Sequence, residues 1–142
     1  MKASVIDYLV DAGPLVAHLD SYDQWHKWAT SAIRALGETL HTTEAVITEV
    51  SYLLRKYRPA VDELLRLTTE GVIQVHPVFL TQSARIRELM SKYECMDLAD
   101  ATLVVLSERY PRAKLITIDE KDFTIYRRCN GLPVPCIMPP KQ

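Results

Sequence analysis

The chain has 142 residues, of which 48% are hydrophobic and 25% are charged, and its formal net charge is −1. This length and composition predict one globular domain with a hydrophobic core. The near-neutral charge excludes a strongly basic coat for nucleic acid but leaves a local basic surface open. No apolar run is long enough to cross a membrane, and Asp7 and Asp11 interrupt any signal-peptide core, so we expect no membrane association and no secretion.

Short strand-forming runs alternate with helical patterns along the chain. The run Tyr8-Leu-Val ends abruptly at Asp11, and Gly13-Pro14 then favours a helix start. Further strands are predicted at 39–42, 72–75, 114–118 and 134–138, and further helices at 21–36, 43–57, 59–70, 81–93 and 98–110. The alternation predicts an α/β fold with a mostly parallel central β-sheet flanked by helices. We expect one domain over 1–138 and a short tail over 139–142.

Several acidic residues stand where the pattern predicts a different residue type. Asp11 and Asp119 each end an apolar strand, and Asp100 directly precedes the apolar part of helix 98–110. Glu49 lies on the core-facing stripe of its helix, where either a metal ion or a buried arginine would have to compensate its charge. Asp97 and Asp119 also suit helix-capping or turn roles. Each acid alone is weak evidence for a functional site, so the question is whether the fold places them close to one another.

In the predicted topology, these acids could converge on one crevice. In parallel α/β sheets, ligands bind at the carboxyl ends of the strands. Carboxylates crowded at such an edge repel each other unless a hard cation screens them. Oxygen-only ligation suits Mg²⁺ or Mn²⁺ rather than zinc, and two such ions about 4 Å apart promote hydrolysis of a phosphodiester.

The acids fall within four motifs that resemble those of the PIN-domain ribonucleases, and among them the VapC-type toxins of toxin–antitoxin pairs. In chain order, the motifs are Leu9-Val-Asp-Ala-Gly-Pro-Leu-Val-Ala, Thr43-Glu-Ala-Val-Ile-Thr-Glu-Val, Met96-Asp-Leu-Ala-Asp-Ala-Thr-Leu-Val and Leu115-Ile-Thr-Ile-Asp-Glu-Lys-Asp-Phe. Any one of them is loose, but four in this order are fairly specific. The resemblance covers nearly the whole chain and implies a single PIN-like domain.

The resemblance implies an endoribonuclease that depends on Mg²⁺ or Mn²⁺ and leaves a 5′-phosphate. Its acidic residues fall on Asp11, Glu49, Asp100 and Asp119, which become the expected catalytic and metal-binding residues. Asp11 and Asp100 are the expected main ligands, Glu49 binds the metal or positions water, and Asp119 supports a second ion. Asp97 is a possible accessory acid, with capping as its alternative role.

Partners follow from the same resemblance. It implies an RNA substrate, a cognate antitoxin and a homodimer. Because the overall charge is slightly negative, the phosphate contacts must be local, and Lys121, Arg127 and Arg128 are the expected ones.

Other functions fit the sequence less well. The main alternative is a non-catalytic PIN-like module that binds RNA or protein and uses its acids for caps and ion pairs. A phosphatase of the haloacid type needs a second aspartate where this chain has Gly13, and the four histidines lack zinc-binding spacing. The three cysteines are odd in number and lack a C-x-x-C spacing, which predicts free thiols in a reducing cytoplasm.

Overall fold

A computed structural model describes residues 6–141. Within this range, each of the first four strands is followed by one or two helices, in the order that the sequence predicts apart from the short helix α7. The strands are β1 (Tyr8–Val10), β2 (Leu40–Thr43), β3 (Ile73–His76), β4 (Lys114–Ile116) and β5 (Cys136–Ile137). The helices are α1 (Ala12–Leu19), α2 (His26–Leu36), α3 (Glu44–Leu53), α4 (Arg58–Thr69), α5 (Phe79–Lys92), α6 (Leu98–Arg109) and α7 (Glu120–Ile125).

The strands form one five-stranded sheet in the order β3-β2-β1-β4-β5. Every pairing is parallel, and the central Leu9 pairs with His41 of β2 on one side and with Leu115 of β4 on the other. This confirms the predicted α/β class. It also places the end of β1 at the middle of the carboxyl edge of the sheet, where parallel α/β sheets bind their ligands.

Helix α6 is buried along most of its length. Its residues from Ala99 to Ser107 are all buried, as the sequence predicts for a helix that is apolar on almost every side. At its start, the Thr102 hydroxyl lies 2.8 Å from the Thr43 hydroxyl at the end of β2. The amino end of α6 is therefore held against the carboxyl edge of the sheet.

Most differences from the predicted elements lie at their ends. Strand β4 stops at Ile116 instead of residue 118, and α3 stops at Leu53 instead of residue 57. Helix α7 is not predicted, because six residues are too few to reveal a helical repeat. In the predicted tail, Nζ of Lys141 lies 3.4 Å from Oε1 of Glu120 in α7. The predicted boundary between the domain and the tail, after residue 138, stays a prediction.

No helix within residues 6–141 is long and apolar enough to cross a membrane. Cys95, Cys129 and Cys136 are free thiols, as predicted.

The Nδ1 atom of His41 on β2 and the Nε2 atom of His76 on β3 are 2.9 Å apart, a hydrogen bond between neighbouring strands.

Candidate active site

Asp11 occupies the centre of the carboxyl edge, directly after β1. It caps helix α1, because its Oδ1 accepts a hydrogen bond of 2.7 Å from the backbone N–H of Ala12. Its Oδ2 accepts a second one, also of 2.7 Å, from the hydroxyl of Thr117 just beyond β4. Only 7% of the residue is exposed. The carboxylate is thus fixed by a local cap and by a contact with the neighbouring strand.

Burial raises the pKa of Asp11 from its ordinary 3.8 to about 6. The bonds from Thr117 and Ala12 oppose this rise, whereas the negative charges of Asp119 and Asp97 add to it. A carboxyl group that is desolvated and repelled by other acids gains most from a bound cation. This property distinguishes Asp11 from an ordinary helix cap.

Asp100 is the second buried carboxylate, in the first turn of α6. Asp97, the exposed N-cap of this helix, accepts a hydrogen bond of 2.8 Å from the backbone N–H of Asp100. The Oδ2 of Asp100 accepts a hydrogen bond of 2.8 Å from the hydroxyl of Tyr126, just after α7. The predicted capping role of Asp97 is therefore present.

The pKa of Asp100 is raised to about 8, first by burial and then by the charges of Asp97, Asp11 and Asp119, while the bond from Tyr126 lowers it. Burial and this carboxylate together raise the pKa of Tyr126 well above its ordinary value of 10. The tyrosine hydroxyl is consequently a protonated donor at neutral pH.

Asp119 and Asp122 bring two more carboxylates to this edge. Asp119 caps α7, with its Oδ1 3.1 Å from the backbone N–H of Asp122. Its own N–H donates a hydrogen bond of 3.0 Å to the Thr117 hydroxyl, which also contacts Asp11. Carboxylate oxygens of Asp100, Asp119 and Asp122 all lie within 4.8 Å of one another. These three acids are spaced closely enough to share a cation.

Glu49 approaches the same edge from α3. Its pKa is raised, first by burial and then by the charges of Asp97 and Asp11, so its carboxylate is close enough to sense both acids. The sequence left open a buried ion pair with arginine. The ion pairs between residues 6 and 141 do not include Glu49, and its role as a metal ligand stays a prediction, because the group with metal-binding spacing in this range consists of Asp100, Asp119 and Asp122.

The three predicted phosphate contacts differ in their availability. Lys121 is exposed on α7. Arg127 is half-buried, and its Nη1 donates to the carbonyl oxygens of Thr124 and Tyr126. Arg128 does not fit the prediction, because it is 7% exposed and its Nη1 lies 2.9 Å from the carbonyl oxygen of Pro111. A guanidinium engaged inside the protein is not available to RNA on the surface.

The donor set fits a hard divalent cation. The acids that converge here offer only oxygen ligands, and among residues 6–141 the group with metal-binding spacing is made of carboxylates without histidine or cysteine. From the sequence, Asp122 lies in the fourth motif but is explained by a turn role, and Thr117 and Tyr126 are not singled out. The spacing of three between Asp119 and Asp122 was a usable signal for the first turn of a helix, whereas nothing local pointed to Tyr126.

An α/β sheet with clustered carboxylates at its carboxyl edge agrees with the family comparison. The model of the PIN domain family matches residues 8–128. The chain therefore belongs to the PIN domain family, and the resemblance inferred from its motifs is confirmed.

The proteins similar to this chain include VapC proteins. It is 25% identical over 128 residues to Ribonuclease VapC26 of Mycobacterium tuberculosis, an alignment covering 87% of this chain and 94% of that protein. Among solved structures it is similar to VapC20 of M. tuberculosis, a sarcin-ricin loop cleaving toxin, with a TM-score of 0.70 and 16% identity, covering 77% of this chain and 87% of that one.

Two further structures share the fold. A toxin–antitoxin complex from Klebsiella pneumoniae matches with a TM-score of 0.64 and 22% identity, covering 84% of this chain and 92% of that one. VapBC2 from Rickettsia felis, bound to a DNA fragment from its promoter, matches with a TM-score of 0.64 and 13% identity, covering 94% and 98%. At these identities the matches establish the architecture alone.

Proposed function

We propose that this chain is a metal-dependent endoribonuclease and the toxin of a toxin–antitoxin pair. The observation that carries the proposal is the trio of carboxylates Asp100, Asp119 and Asp122, whose oxygens lie within 4.8 Å of one another. Asp11 and Glu49 lie outside this trio, and their raised pKa values, to which the charges of neighbouring acids contribute, support including them in the proposed site. Membership of the PIN family and the similarity to Ribonuclease VapC26 support the reaction class.

Asp11 and Asp100 are the proposed main ligands, because they are the most buried acids of the cluster, at 7% and 8% exposure. Asp119 and Asp122 have carboxylate oxygens within 4.8 Å of those of Asp100, and we propose that they bind the same ion or a second one. Bound Mg²⁺ or Mn²⁺ supplies an activated water and neutralises charge on the phosphodiester. The half-buried Glu49 is placed to bind the ion or to orient the water.

The helix caps give this arrangement its rigidity. Asp11, Asp97 and Asp119 each accept a backbone N–H at the start of a helix, which restricts the rotation of their carboxylates. The shared Thr117 hydroxyl links Asp11 to the loop of Asp119. A site held in this way loses little conformational freedom when the substrate binds.

Lys121 and Arg127 remain the proposed RNA contacts. They lie on and just after α7, the helix that follows Asp119. An antitoxin is the proposed protein partner, because two structures with this fold are toxin–antitoxin complexes. A homodimer and a cytoplasmic location stay predictions, the latter consistent with three free thiols.

The test is cleavage of a mixed pool of structured RNAs by the purified protein with Mn²⁺, Mg²⁺ or EDTA. Asp11→Asn removes a ligand charge at almost unchanged volume, and Asp62→Asn on the exposed face of α4 is the matched control. We expect cleavage that needs metal, survives in Asp62→Asn and is lost in Asp11→Asn. Cleavage in both variants would refute the site. RNA binding without cleavage or metal binding would favour the non-catalytic module.

A further inference from the structure

A buried tyrosine outside the four sequence motifs contacts the acidic cluster. The hydroxyl of Tyr126 donates to Oδ2 of Asp100 over 2.8 Å. Tyr126 is 2% exposed, and its ring packs edge-on against the rings of Tyr93 and Phe123, each with a centroid distance of 5.2 Å. The hydroxyl is therefore held in place by a packed aromatic group.

We infer that Tyr126 is a positioning residue that prepares Asp100 for metal binding. This inference rests on the proposed function. A carboxylate has two oxygens that can each bind a cation, and the bond from Tyr126 engages one of them. Rotation of the carboxylate is thereby restricted, and the other oxygen is presented in a defined direction. Partners of metal ligands commonly act in this manner.

The same contact controls the spacing of the cluster. Tyr126 directly follows α7, whose first turn carries Asp122 and whose cap is Asp119. Its bond to Asp100 joins the end of α7 to the first turn of α6. The distances among the three carboxylates thus depend on a contact that sets how closely the two helices approach.

Tyr93 provides a matched control. Its hydroxyl accepts a hydrogen bond of 3.0 Å from the backbone N–H of Arg127, the residue next to Tyr126. Both tyrosines thus anchor the segment after α7, and both belong to the same aromatic group. Only Tyr126 contacts an acid. Phenylalanine at either position retains the ring and removes one hydrogen bond, so the two variants separate a specific effect on Asp100 from loosening of the segment.

The experiment compares the wild-type protein, Tyr126→Phe and Tyr93→Phe. Calorimetry measures Mn²⁺ binding, thermal unfolding in EDTA measures folding, and RNA cleavage is followed as a function of Mn²⁺ concentration. We expect Tyr126→Phe to bind Mn²⁺ about tenfold more weakly, to need correspondingly more Mn²⁺ for cleavage, and to recover its rate at saturating Mn²⁺. Tyr93→Phe should bind Mn²⁺ as the wild type does.

Two results would overturn the inference. If the wild type binds Mn²⁺ and Tyr126→Phe binds it equally well, or no more weakly than Tyr93→Phe, then Tyr126 is a core residue without a role at the site, and the proposed function still stands. If the wild type binds no Mn²⁺, the metal site itself is refuted, and the inference fails with the proposed function.

Discussion

Replacing Asp11 by asparagine should stabilise the metal-free protein while removing its metal binding. In the metal-free state, Asp11 is a buried carboxylate near other acids, and its pKa is raised to about 6. Because a raised pKa means that the folded state holds a proton more tightly than the unfolded state, the stability from this group is fully present below pH 3.8. It is lost as the pH rises through about 6. Asparagine carries no such dependence.

The size of the effect follows from the two pKa values. Since one pKa unit corresponds to about 1.4 kcal/mol, a rise from 3.8 to about 6 corresponds to about 3 kcal/mol. We therefore expect the difference in unfolding free energy, Asp11→Asn minus wild type, to increase by about 2.5 kcal/mol between pH 4 and pH 8, because at pH 4 the unfolded carboxyl is already partly ionised. The hydrogen bond from Thr117 to Asp11 is already included in the pKa of about 6, and any bond from Thr117 to the asparagine adds only a constant that does not depend on pH.

Urea unfolding in EDTA at pH 4, 6 and 8, followed by circular dichroism, measures this difference. At pH 8, saturating Mn²⁺ should then stabilise the wild type by about 2.7 kcal/mol at a concentration 100 times the dissociation constant, and leave the variant unchanged. A difference between the proteins that is the same at every pH would show that Asp11 is not a destabilised carboxylate. Equal stabilisation of both by Mn²⁺ would show that it is not a ligand.

Three further predictions concern other parts of the molecule. Burial and the neighbouring His76 lower the pKa of His41, so the stability that this residue contributes is present above pH 6.5 and is lost as the pH falls through the pKa of the folded state. The unfolding free energy of His41→Gln should therefore decline less between pH 7 and pH 5 than that of the wild type. Parallel declines in the two proteins would contradict this. Arg85 contacts two glutamates, Glu108 with an 11% exposed side chain and Glu88 with a 71% exposed one. Glu108→Gln should cost about 2 to 3 kcal/mol in urea unfolding and the control Glu88→Gln less than about 0.5 kcal/mol, whereas similar losses would refute the importance of burial. Lys121→Gln should weaken RNA binding equally for different sequences and lower the slope of log affinity against log salt by about 1, and an unchanged slope in filter-binding assays would exclude a phosphate contact.

The sequence alone determined the architecture and indicated the main acids of the proposed site. The spacing of apolar residues along each strand and helix reflects which of its faces is buried, so the parallel sheet and the buried α6 were predictable. Asp11, Asp100 and Asp119 were conspicuous because each interrupts or borders an apolar run. Their convergence also followed from topology, because the carboxyl ends of parallel strands share one edge.

The tertiary structure alone decided which side chains meet at that edge. Tyr126 contacts Asp100 across 26 positions of sequence, and Thr117 contacts Asp11 across 106. Arg128 looked like a surface cation, but it lies inside the protein against the carbonyl oxygen of Pro111. Sequence periodicity describes one element at a time, whereas these contacts depend on how separate elements pack. The same reason explains why the supporting residues of the acidic cluster appear only in the folded chain.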